Sequence, residues 1–160
     1  MYITYGEYTA LYDNIEEKVF NRLAYDAGRY IDRLTAGADG LKKLKVYPPV
    51  DIDNAEAVRR CAAAVVNLLA QIDAAEKNVA SGRGYVETEN GLRSKVLASL
   101  SAGNESVSYA TGAAGKSAVD AAVESAAEKE HLVFSVIRHY LSGVEDANGV
   151  NLLYMGRYPV

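Results

Sequence analysis

The chain reads as mainly α: a small bundle of three to four helices with a protruding β-hairpin arm and an extended C-terminal tail. Three observations predict this. Apolar residues recur every three or four positions over residues 15–34, 58–79 and 119–141, the period of an amphipathic helix. Residues 95–109, KVLASLSAGNESVSY, alternate instead with the period of a strand. Residues 150–160 form a short, mostly apolar tail that passes through Pro159. No internal repeat or domain boundary is evident, so residues 1–160 are expected to form one domain, with the arm at 95–109 and the tail at 150–160.

The elements follow in order. Thr4 with Glu7 three residues later has capping-box spacing, and Tyr5, Tyr8, Leu11 and Tyr12 share one face of a short helix. Asp13 or Asn14 can cap the next helix, whose stripe is Ile15, Val19, Leu23, Ala27, Ile31 and Leu34, with Gly37 and Gly40 to stop it. Residues 41–52 are expected not to continue as helix, because Pro48 and Pro49 remove donors and fix φ. Asp53 with Glu56 opens the longest helix, with Val58, Cys61, Val65, Leu68, Ile72, Ala75 and Val79 as a narrow seam. Residues 81–89, SGRGYVETE, read as a polar loop.

A two-residue Gly103-Asn104 turn then sets a hairpin register. It pairs Leu100 with Val107 and Ala98 with Tyr109 on one face, and Ser99 with Ser108 and Ser101 with Ser106 on the other. Ser117 with Asp120 caps one last long helix, with Val119, Val123, Ala126, Val133, Ile137 and Leu141 as its stripe and Ser142-Gly143 as its end.

Composition excludes little but sets the frame. Of 160 residues, 49% are hydrophobic and 24% charged, and the net charge of -4 gives no global basic field to draw nucleic acid or anionic lipid. The longest apolar run, Cys61 to Ala70, is too short to cross a bilayer, and MYITYGEY has no signal-peptide character. One cysteine, Cys61, excludes an internal disulfide and reads as a core thiol.

Three motifs carry possible chemistry. Residues 110–117, ATGAAGKS, formally match a relaxed phosphate-binding loop in which Lys116 would reach the anion and Ser117 a magnesium ion. Such a loop follows a buried strand of a parallel sheet, and no strand–helix–strand repeat exists here to build one. A connection leading into a helix cap is the better reading. Glu128 and His131 have the Glu-x-x-His spacing of carboxylate-bridged metal sites, but no second copy is present, so His131 and His139 read as solvated. Lys42-Lys43-Leu44-Lys45 and Arg59-Arg60 are the main basic clusters and read as solvated faces. No catalytic residue, cofactor site or metal site is expected.

Three segments together carry a resemblance: Tyr2-Ile3-Thr4-Tyr5…Tyr8…Leu11-Tyr12, the interior Glu105-Ser106-Val107-Ser108-Tyr109, and the terminal Leu152-Leu153-Tyr154-Met155-Gly156. In their order of occurrence the chain resembles the head–tail connector (adaptor, or head-completion) proteins of long-tailed bacteriophages and prophages. Two departures stand out: Met155 sits where this family often places arginine, and the Val144–Asn148 loop lengthens the approach to the tail.

The resemblance implies a non-enzymatic virion protein, made in the bacterial host cytoplasm and located at the head–tail interface. It would form a homo-oligomeric ring, commonly of about twelve copies, beneath the portal protein. DNA would pass through without specific binding, and a downstream head-completion or tail protein would dock below. Leu152, Leu153, Tyr154 and Met155 would then grip the portal or a neighbouring subunit, while the arm tip, Ala102, Gly103, Asn104 and Glu105, would project towards the channel or the next ring. The other classes are a small nucleotide-binding phosphotransferase using the 110–117 loop, and a helical scaffold protein unrelated to phage.

Overall fold

In chain order, the protein forms α1 (Tyr5–Thr9), α2 (Glu17–Leu34), α3 (Lys43–Val46), α4 (Ile52–Ala80), β1 (Tyr85–Thr88), β2 (Gly91–Ser94), β3 (Val96–Ser101), β4 (Ser106–Ala110), α5 (Ala118–Glu124) and α6 (Ala126–Leu141). The computed structural model describes residues 1–12, 15–80, 85–88, 91–94, 96–101, 106–110 and 117–159, with side-chain surroundings for residues 1–12, 15–77 and 117–159. The chain divides into two compact units: Met1–Ala70 with Glu130–Val160, and Gln71–Lys129.

In the first unit, Thr4 and Glu7 form a complete capping box, which starts α1. The Thr4 bonds hold the Glu7 carboxyl below its ordinary pKa. The Tyr5 hydroxyl donates to the Ile15 carbonyl at 2.8 Å and so fixes the approach to α2. Asp13 and Asn14 lie outside the described residues; the N-cap position of α2 is Glu16, which makes no side-chain cap bond. The buried face of α2 is Phe20, Leu23, Ala24, Ala27, Ile31 and Leu34. Phe20 was absent from the expected stripe, and its ring packs 5.4 Å from those of both Tyr5 and Tyr8.

The helix ends before either glycine, with Thr35 as C-cap donating its hydroxyl to the Ile31 carbonyl. Gly40, at φ 76°, turns the following loop so that Ala36 bridges Lys42.

Residues 41–52 differ from expectation by one turn of helix, α3. The prolines forbid helix only from Tyr47 onward, and Tyr47 has already left the helical region at φ -131°, ψ 63°. Helix α4 is capped two residues earlier than expected. Asp51 Oδ1 accepts the amides of Asp53 and Asn54 at 3.1 and 2.9 Å, while Glu56 is engaged by Arg59 and Arg60. Its buried face is broader than a seam: Ala62, Ala63, Val66 and Leu69 join Val58, Cys61, Val65 and Ile72.

The single last helix is in fact two. Ser125 is extended, at φ -141°, ψ 126°, and its hydroxyl accepts the Glu128 amide at 3.5 Å, so it ends α5 and caps α6. Val133, Ile137 and Leu141 are buried, whereas Ala126 is exposed. Gly143, at φ 78°, follows the helix end.

The core of the first unit joins the inner faces of α2, α4 and α6 with Ile3, Tyr8, Leu44, Val144 and Leu152. Alanines at 24, 27, 62 and 63 are buried in this core beside the larger side chains. At one edge Arg33 pairs with Glu130, and the Arg33 and Arg138 guanidinium groups lie 5.2 and 5.9 Å from the centre of the Phe134 ring.

In the second unit, Ser117 and Asp120 form a capping box at α5. Ile72 and Ala122 are buried, and Lys129 pairs with Glu76 at 3.0 Å. Residues 81–89 are not all loop, because β1 pairs antiparallel with β2. Strand β3 pairs antiparallel with β4, placing Ser99 opposite Ser108, Leu100 opposite Val107 and Ser101 opposite Ser106. Tyr109 faces Leu97 instead of Ala98, because the register shifts between Leu97 and Ser99. A register fixes pairing and not direction, so a protruding arm does not follow from it.

The mainly helical class stands, with six helices among the described residues. The single-turn α3 and the Ser125 break raise that number above the expected three or four. No described helix is long and apolar enough to cross a membrane.

Candidate functional site

The C-terminal tail is the one predicted site with a described setting, and it is built against α3. Behind α6, the sequence Asp146-Ala147-Asn148-Gly149 makes a tight turn. The Gly149 amide donates to the Asp146 carbonyl at 3.0 Å, with Gly149 at φ 74°. The buried Asp146 carboxylate organises this turn. Its Oδ1 accepts the amides of Asn148 and Val150 at 2.9 and 3.0 Å, and its Oδ2 accepts the Tyr158 hydroxyl at 2.7 Å. The Tyr158 ring stacks on Tyr47 at 4.9 Å, and burial, followed by the Asp146 bond, raises its hydroxyl above the ordinary pKa.

Beyond the turn the chain pairs back: Glu145 bridges Asn151, and the Leu152 amide donates to the Val144 carbonyl at 2.9 Å. Leu152 is therefore in the core of its own chain and not at the surface, which removes it from the expected partner-gripping set. Leu153 is half-buried, while Tyr154 and Met155 remain exposed at 49% and 62%. The arm-tip residues Ala102, Gly103, Asn104 and Glu105 lie outside the described residues.

Under the tail lies a residue read wrongly from sequence. The Lys42–Lys45 cluster reads as solvated in sequence, yet Lys43 is fully buried. Its Nζ donates to the carbonyls of Asn151 at 3.1 Å and Tyr154 at 2.7 Å, and faces the Tyr154 ring with 6.0 Å to its centre. Burial holds the ammonium below the ordinary lysine pKa, opposed by the nearby Asp146 and Asp39 charges. The neighbouring Lys45 is exposed and pairs with Asp32 at 2.8 Å, and the Tyr2 hydroxyl donates to the same carboxylate.

Lys116 and residues 111–115 lie outside the described residues, but the Ser117 hydroxyl is committed to Asp120, donating to it at 2.9 Å and accepting its amide at 3.1 Å. His131 and His139 are exposed, as solvated histidines should be. No three acidic, histidine or cysteine side chains are grouped for a metal ion among the described residues. Cys61 is buried in the core, and desolvation pushes its thiol up to about 12, far from a nucleophile's range. Arg59 and Arg60 are partly exposed and both pair with Glu56.

What the arrangement can do is present. A tail held by polar bonds displays Tyr154 and Met155 on a helical body whose other exposed apolar residues include Val46, Val50 and Ile52. No family model, curated protein or solved structure matches this chain.

Proposed function

We propose that the protein is a structural adaptor of a tailed bacteriophage or prophage, a ring subunit that sits beneath the portal at the head–tail interface of the virion. Twelve or so copies would extend the DNA channel and receive a downstream head-completion or tail protein. The observation that carries the reading is the outward display of Tyr154 and Met155 on a tail anchored at Leu152. Such a tail offers a docking point, and the groups that hold it are different from the groups it shows. The β3–β4 pair is the companion device: among the described residues each strand is paired on one side only, which leaves an edge for a neighbouring copy. The net charge of -4 suits a channel through which DNA passes without adhering.

The test is to look for portal and capsid genes around this gene and to co-express the chain with that portal protein, followed by electron microscopy of the purified portal. A ring of this chain on the portal is expected. Tyr154→Ser with Met155→Ser should abolish it while leaving circular dichroism unchanged. A doubly substituted chain that still decorates the portal would remove the tail from the interface. Absence of any ring, or of portal and capsid genes nearby, would overturn the adaptor reading.

A further inference from the structure

We propose that residues 153–159 form a strap that opens and closes as one piece, and that the buried ammonium of Lys43 is its latch. The inference rests on this chain's own geometry and stands whether or not the protein is an adaptor. Beyond Leu152 the strap buries little apolar surface: Leu153 is half-buried, Tyr154, Met155, Arg157 and Pro159 are exposed, and only the Tyr158 ring is covered.

Directional bonds hold it instead. Lys43 Nζ grips the Tyr154 carbonyl at 2.7 Å, the Ala38 amide donates to the Gly156 carbonyl at 3.2 Å, and the Tyr158 hydroxyl reaches Asp146 at 2.7 Å. A segment held by a few polar bonds with little apolar area belongs to the low-stability end of a fold and opens without the core.

Lys43 is what makes the closed state definite. Its ammonium has lost its water and depends on main-chain oxygens, one of them on the strap. In the open state water reaches the ammonium again, and Leu152 stays where it is. The strap is thus the cover of the charge that holds it.

Amide hydrogen exchange on the full chain, followed by NMR, reads this directly. The reporters are Ala38, bonded to the Gly156 carbonyl, Tyr154, bonded to the Asn151 carbonyl, and Leu153, bonded to Asn151 Oδ1. Lys43→Met keeps the apolar stem and removes the donors. All three amides should then exchange about ten- to a hundredfold faster and at one common rate, and in both the native and the substituted chain they should be less protected than the amides of α4. Unchanged reporters, three unrelated rates, or reporters as protected in the native chain as the amides of α4 would each overturn the latch. Should Lys43→Met fail to fold, Tyr158→Phe decides. It removes the far anchor, and the same three amides must accelerate together and stay less protected than those of α4.

Discussion

Replacing Asp146 gives the sharpest measure of how the tail is built. Three donors converge on one buried carboxylate: the amides of Asn148 and Val150 on Oδ1 and the Tyr158 hydroxyl on Oδ2. A hydrogen bond to a charged group is worth about 1.5–3 kcal/mol, but the turn is near enough to water for part of that to be recovered on truncation. Asp146→Ala should therefore destabilise the first unit by about 3 kcal/mol. The loss of a negative charge near buried Lys43 acts in the same direction. Asp146→Asn keeps an oxygen for the two amides and loses only the acceptor for Tyr158, so it should cost about 1 kcal/mol.

Urea unfolding followed by near-ultraviolet circular dichroism is the appropriate assay. The chain has no tryptophan, and all its tyrosines except Tyr85 and Tyr109 lie in the first unit. With a slope of about 2 kcal/mol per molar urea, the midpoint should fall by about 1.5 M for Asp146→Ala and by about 0.5 M for Asp146→Asn. Equal shifts for the two variants, or none for either, would refute the claim that the carboxylate organises the turn.

Two further outcomes follow from the core and the caps. Cys61 has its thiol pKa raised from 9.0 to about 12 by burial, so between those values the unfolded chain releases a proton that the native chain keeps. Stability should be fully present below pH 9 and fall between pH 9 and about 12, and replacing Cys61 with Ala should reduce that slope; native Cys61 should also resist a thiol reagent at pH 8 until the chain unfolds. Ser117→Ala removes the hydroxyl half of the α5 capping box, leaving the residue-117 amide bonded to Asp120, and should cost α5 about 1 kcal/mol, seen as faster exchange at Ala121 and Ser125 with α2 unaffected.

Local signals were legible, and long-range ones were not. Thr4 with Glu7 and Ser117 with Asp120 are complete within four residues, and both caps form where that spacing placed them. Asp53 with Glu56 has the same spacing but loses to Asp51, whose carboxylate reaches two amides while Glu56 is held by two arginines. Ser125 with Glu128 was a further capping signal, hidden because the apolar stripe ran through it.

At the candidate site, the Asp146–Gly149 turn carries its own turn chemistry, so its tightness was readable. Lys43 was not. Flanked by Lys42 and Lys45 it reads as solvated, and its acceptors lie more than a hundred residues away in the chain. The fate of Leu152 likewise depends on Val144 and the α6 end, which only the folded chain brings together.

The tail is held chiefly through oxygen atoms that every residue possesses: Lys43 takes the carbonyls of Asn151 and Tyr154, and Ala38 takes that of Gly156. Its path is therefore insulated from the identity of residues 153–155, and mutation can rewrite what those positions show without redrawing where they run. Gly156 is the exception, since a Cβ there would collide with the Tyr154 ring. Among divergent descendants of this sequence, Lys43, Asp146 and Leu152 should drift slowly, Gly156 should be held only where Tyr154 is kept, and Tyr154 and Met155 should keep pace with whatever they meet.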